Sequence, residues 1–159
     1  MKRLLTITTL VVLTLTTWLA QTAEAQNKMF RKYGEMDNVE YICISRPMLK
    51  LMGKNSATIN GVHIDGMTDA LQVILIINSD DQKVQKQMDK DYDDLRDDEA
   101  YEVFMEIKQN DEHIVTMLNS QQAVKEVVMF IKNKTTGNRV FIVMTGKFTD
   151  EQLNKLLNN

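Results

Sequence analysis

Cysteine is almost absent from this 159-residue chain. Cys43 stands alone, so no internal disulfide can form, and a domain of this size does not need one. Inside the strand-like run "VEYICIS" it reads as a small buried apolar residue. Histidine is as scarce: His63 and His113 lie far apart, and neither has a Cys or a second His at ligand spacing, which argues against a transition-metal site. The six glycines are scattered among turn signals, so no glycine-rich phosphate loop is present. There is no G-x-S-x-G elbow, and nothing singles out a carboxylate pair for glycosidic chemistry. Basic charge is not in excess either. A net of −3 leaves no electrostatic footprint for nucleic acid or for anionic lipid. The expectation is therefore a protein with no catalytic residues, no cofactor and no metal.

What is present begins with a leader. Lys2 and Arg3 precede the uncharged run "LLTITTLVVLTLTTWLA", and Ala23-Glu24-Ala25 offers small residues at the two positions a signal peptidase reads. The expectation is a signal peptide over 1–25, cleaved after Ala25, followed by a single domain over 26–159. An uncleaved anchor is the rival reading. A spanning helix needs about 20 strongly apolar residues, and Thr6, Thr8, Thr9, Thr14, Thr16 and Thr17 dilute this run. No Cys stands at the cleavage site, so there is no lipobox. The chain is expected in the periplasm, with no transmembrane segment once the leader is gone. Losing Lys2, Arg3 and Glu24 takes the net charge from −3 to −4, and the remainder is long enough to bury one core.

Along that remainder, Met29, Phe30, Tyr33 and Met36 fall at helical spacing in 28–36. "VEYICIS" (39–45) predicts a strand. Ser45 can cap a short helix with Pro47 in its first turn and Met48, Leu49, Leu51 and Met52 along it. Residues 53–70 carry Gly53, Gly61 and Gly66 with Asn55 and Asn60, which mark turns around a short strand at Val62 and Ile64. "LQVILIIN" (71–78) is a continuous apolar run of strand length and predicts a buried strand. Residues 79–98 form the clearest helix, capped by Ser79 or Asp80, with Val84, Met88, Tyr92 and Leu95 as one narrow apolar stripe. Four strands follow at 100–108, 112–119, 123–132 and 139–147. In the first, Tyr101, Val103, Met105 and Ile107 are expected on one face, opposite Glu102, Glu106 and Lys108. "TDEQLNKLL" (149–157) opens with a capping box, Thr149 with Gln152. The order α-β-α-β-α-β-β-β-β-α predicts an α+β domain on a largely antiparallel sheet of five or six strands.

The segments "MFRKYGEMDNVEYICISRPMLKLM", "LQVILIINSD" and "KEVVMFIKNKTTGNRVFIVMTGKFT" resemble the DUF4252 family, exported Bacteroidota proteins of unknown function. The resemblance covers most of the chain beyond the leader. It implies fold and export, and supplies no site residues. Many members resemble lipoproteins with a Cys at the processing site; here the leader ends in "AEAQ", which implies a form without a lipid.

Residues 80–99 hold nine acids against Lys83, Lys86, Lys90 and Arg96, a net of −5. "DKDYDDLRDDEA" (89–100) starts like a calcium loop. It then has Asp94 where glycine must turn the chain and Ala100 where a bidentate Glu is needed, so it reads as a solvated helix face. The methionines are spread over many elements, as core filling would have them. The pair "VVMFI" and "VFIVM" is apolar on both faces. With a turn centred on Thr136, Met129 lies opposite Met144 and Ile131 opposite Ile142, while Phe130 and Val143 share the other face. These six residues are the candidate apolar interface or pocket. One sheet face can be covered by helix 80–95 and the other by the helices at 29–36, 47–52 and 149–157. Any face left open must meet a second copy, an envelope protein or an apolar ligand. The expected function is a non-enzymatic periplasmic domain acting through contact with an envelope protein or through homo-oligomer formation. The alternative is a carrier of a small apolar ligand in a Met-lined pocket.

Overall fold

The computed structural model describes residues 29–52, 58–59, 62–64, 67–121 and 124–157. The leader, the cleavage site after Ala25 and the turn glycines at 53, 61 and 66 lie outside them. The chain divides into a unit ending at Met36 and a unit over Asp37–Asn159. In the first, residues 29–31 are helical and pass into a 3-10 turn at Lys32–Glu35, with Phe30 and Tyr33 buried.

The second unit is built on six strands: β1 (Glu40–Ser45), β4 (Leu71–Ser79), β5 (Glu102–Gln109), β6 (Glu112–Asn119), β7 (Lys125–Asn133) and β8 (Arg139–Gly146). They lie in the order β1-β4-β8-β7-β6-β5, and every pairing is antiparallel. A small hairpin of β2 (Thr58–Ile59) and β3 (Val62–His63) stands apart from this sheet. Among the described residues, the unit also has three helices: α1 (Arg46–Met52), α2 (Gln82–Asp97) and α3 (Asp150–Leu157). The architecture is the expected α+β sheet.

Strands β5 to β8 form a meander, each pairing with the next. Asn110, at φ 50°, turns β5 into β6, and Gly137, at φ 73°, turns β7 into β8; both positions need the left-handed region that Asn and Gly tolerate. Strands β4 and β5 run parallel, separated by β8, β7 and β6, so four strand spacings, about 19 Å, lie between them. The 16 residues of α2 reach about 24 Å. That is enough to carry the chain across one face of the sheet.

That crossing covers the face. Val84, Met88, Tyr92 and Leu95 are buried as the stripe predicted. The Tyr92 ring stacks on Phe130 at 4.7 Å between centroids, and Phe130 meets Phe141 at 4.6 Å. Asp89 is clamped by Arg139 Nε at 2.9 Å and Lys132 Nζ at 3.0 Å. On the opposite face, Ile74, Ile76, Val127, Ile142 and Met144 pack with Leu49 of α1, Leu153 of α3, and Ile64, Met67, Leu71 and Phe148. Strand β4 is apolar without alternation because both of its faces are roofed.

Several local expectations change. The cap of α2 is Asp81, whose carboxylate accepts from the N–H groups of Lys83 and Val84 at 2.9 and 3.1 Å. Ser79 instead ends β4 and donates its hydroxyl to the Asn38 carbonyl at 2.6 Å. In α1, Leu49 is buried, but Met48 and Leu51 stay exposed, since a seven-residue helix buries only one stripe. Cys43 is exposed, because β1 is an edge strand and four of its six residues face solvent. The capping box of α3 stands: Thr149 N–H donates to Gln152 Oε1 at 3.0 Å, and Gln152 N–H to Thr149 Oγ1 at 3.2 Å.

Two corrections concern register. The β7–β8 turn closes one residue early: the Asn133 N–H bonds the Asn138 carbonyl at 3.0 Å, and Asn133 Oδ1 accepts from the Thr136 N–H at 2.9 Å. Met129 therefore lies opposite Ile142, and Ile131 opposite Val140. The slip is two residues, an even number, so the faces are unchanged. In β5, Val103 pairs with Met117 and Met105 with Thr116, leaving Phe104 as a bulge. The bulge puts Val103 on the side of Glu106 and Lys108, away from Met105 and Ile107.

One close approach holds the end of the sheet. A Cβ at Gly146 would lie 2.4 Å from the Ala70 carbonyl oxygen, the same oxygen that accepts from the Lys147 N–H at 2.9 Å. Backbone cannot step aside as a flexible side chain would. Gly146→Ala is expected to lower stability by about 2 kcal/mol or more, read as a shift in urea midpoint. An unchanged midpoint would show that the strand end relaxes freely.

Candidate functional site

The six residues singled out on β7 and β8 fall on two faces. Met129, Ile131, Ile142 and Met144 face α1 and α3; Phe130 and Val143 face α2. Ile142, Met144, Phe130 and Val143 are core residues, none more than 2 % exposed. Only Met129 and Ile131 are half-buried. Met129 is a diagonal neighbour of Met144, not its cross-strand partner. Met67, Met88, Met117 and Met144 are buried in the core, as packing requires. The acidic tract runs along α2 to Asp97. Residues two apart on a helix point about 200° apart, so Asp91 points away from Asp89 and Asp93. Among the described residues, no three His, Cys, Asp or Glu side chains stand close enough together to hold a metal ion.

The outward feature is β5. Seven of its eight residues are exposed, including Val103 at 44 %, Phe104 at 50 % and Ile107 at 39 %. It is the last strand of the sheet, so one row of its backbone N–H and C=O groups has no strand beside it. Ile107 lies opposite Ile114, Ile114 opposite Ile131, and Ile131 opposite Val140. The last three are half-buried. An apolar row thus runs inward from the sheet edge on the face shared with α1 and α3.

The other face of β5 carries charge. Glu106 sits 2.8 Å from Lys108 Nζ, 2.8 Å from His113 Nε2 and 3.7 Å from Arg96. Bonds from Lys108 and then His113 hold its carboxyl down to about 2. His113 is thus a strand residue in a surface charge cluster. The side chain of His63 lies outside what is described.

Two polar groupings lie away from this edge. An open depression of about 630 Å³ is lined by Asn38, Glu40, Asn78, Ser79, Asp80, Thr136 and Asn138. Asn78 Nδ2 donates to Glu40 Oε2 at 3.0 Å, and Asn78 Oδ1 is buried with no partner. Val39 also lines it, and its polar groups are carboxamide, hydroxyl and carboxylate.

The second grouping is buried at the end of β7, on the α2 side. The Tyr101 hydroxyl donates to Glu126 Oε1, and the Asn119 side chain reaches the same hydroxyl. All three residues are under 9 % exposed. Burial raises the Glu126 carboxyl, and the Tyr101 bond offsets this only in part. Burial, then the neighbouring carboxyl, raises the Tyr101 hydroxyl as well.

Sequence reading missed Phe104, Glu106 and the Glu126 pair. Phe104 had a signal: three consecutive apolar residues, Val103-Phe104-Met105, break the alternation. Glu126 had none, since "VKEVV" shows only one acid near a strand start.

The family model DUF4252, described as a domain of unknown function, matches residues 33–156. No curated protein matches the chain, and no solved structure does.

Glu126 has a stability consequence with a definite sign. Its carboxyl lies higher in the folded state than in the unfolded chain. Its contribution is thus fully present below the unfolded value, near 4.5, and is lost as pH rises through the folded value. Glu126→Gln removes the titration. Urea midpoints measured from pH 4 to pH 8 should therefore fall in the native protein relative to the variant. Parallel profiles would contradict the assignment.

Proposed function

The chain belongs to the DUF4252 family, and on that premise we propose that it is an exported periplasmic domain that makes no bonds chemically and acts by protein contact. The observation that carries this reading is β5. Both sheet faces meet the chain's own helices, yet one edge strand presents Val103, Phe104 and Ile107 to solvent. Single exposed apolar residues are ordinary; three on one unpaired edge form a template for another chain. The charged groups also favour it. Glu106 is neutralised by Lys108 and Arg96, and Glu126 is sealed under the sheet with Tyr101. Neither is poised to move a proton for a substrate. The leader and its small-x-small site support export. Among the described residues, no helix is long and apolar enough to cross a membrane.

A second reading, the carrier of a small apolar ligand, has one observation in its favour. Thr116 is fully buried between Met105 and Met129, and its hydroxyl has no partner. A ligand bearing one polar atom would satisfy it. Native mass spectrometry of protein from its own cells should then show an added mass.

For the contact reading, a photo-crosslinking residue placed at Phe104 in living cells should capture protein in high yield, while one at Thr135 on the β7–β8 turn should not. Equal labelling at the two positions, or none at either, would sink the proposal.

A further inference from the structure

We infer that the partner of β5 is a second copy of this chain, joined edge to edge through residues 105–109 about a two-fold axis at Ile107. This rests on the contact reading above and specifies its occupant. When a two-fold axis perpendicular to the sheet brings two copies of one strand together, they run antiparallel. Directly opposed residues then share a face, so each possible register can be judged from β5 itself.

The bulge at Phe104 limits the choice. Beyond it, Met105, Ile107 and Gln109 share one face, and Glu106 and Lys108 share the other. An axis at Glu106 sets carboxylate against carboxylate, and an axis at Lys108 sets ammonium against ammonium; like charges directly opposed are destabilising. An axis at Met105 sets Glu102 against Lys108, but the bulge has moved Glu102 to the face of Met105 and Ile107, so these charges cannot meet. The axis at Ile107 alone satisfies every residue of the flat segment. Ile107 meets its own copy, Glu106 meets Lys108 twice, and Met105 meets Gln109.

The same register explains the exposure. The row of Ile107, Ile114, Ile131 and Val140 becomes continuous across both copies, and the half-open edge of that row closes. Lys108, 70 % exposed and held by the Glu106 beside it on the same strand, gains a second carboxylate. The unpaired backbone groups of 105–109 find partners. The bulge ends the flat segment on one side, and the Asn110 turn ends it on the other.

The test reads register as well as association. In a Cys43→Ser background, Val103→Cys, Met105→Cys, Ile107→Cys and Gln109→Cys are made one at a time in the full chain. Opposed residues hold their Cβ atoms about 4.5 to 5.5 Å apart, and diagonal ones lie farther. Mild oxidation should therefore give a disulfide dimer from Ile107→Cys in clear excess over the other three. Sedimentation adds a charge test: Lys108→Glu and Glu106→Lys should each weaken self-association by about tenfold or more, and mixing the two should restore it as a heterodimer. Circular dichroism checks that each variant keeps the native fold. A dimer trapped best at another position overturns the register. A chain that stays monomeric to about 100 µM, far above a specific interface's range, overturns self-pairing. If Phe104 then crosslinks a different protein in cells, the contact reading survives without it; if it crosslinks nothing, both fail.

Discussion

The fold is governed by the distance between β4 and β5. These strands run parallel with three others between them, so the connecting chain must cross a whole sheet face. α2 does this, and its Tyr92–Phe130–Phe141 stack and the Asp89 clamp fix it there. Once that face is taken, the apolar residues of α1, α3 and the 64–71 segment can be buried only on the other. This is why strands apolar on both sides are compatible with a water-facing exterior. Burial of about 25 cal/mol per Å² on each face rewards a two-sided pattern only when both roofs exist.

The crossing also decides which strand is last. β5 begins where α2 lands, and the meander then folds back toward β4, leaving β5 at the rim with one row of backbone groups unpaired. Its charges and its bulge blunt that rim only in part. The bulge at Phe104 interrupts the ladder, while 105–109 alternate in a pattern that matches itself reversed. The buried Glu126 lies elsewhere, beneath the opposite face, and acts on stability, not on the rim.

Much of the architecture is legible along the chain because it depends on short-range patterning. The stripe Val84, Met88, Tyr92, Leu95 repeats at helical spacing, the run 71–78 has strand length without polar interruption, and Thr149 with Gln152 is a reciprocal cap. Two of the misses come from contacts or strand order that no local pattern states. Asp81, not Ser79 or Asp80, caps α2 because Ser79 is engaged by Asn38, distant in sequence. Cys43 is exposed because its strand is at an edge, and no local pattern states strand order. The β7–β8 register slipped because Thr136 looked central, while the side chain of Asn133 closes the turn one residue early.

By itself the sequence determined most of the elements and their buried stripes, since these follow from period, caps and composition within a dozen residues. Only the tertiary structure decided strand order, which edge stays open, how the bulge at Phe104 re-aims its neighbours, and that Glu126 is sealed beside Tyr101. Those outcomes depend on which distant segments reach one another first and best, and a strand's pattern is the same at the centre of a sheet as at its rim.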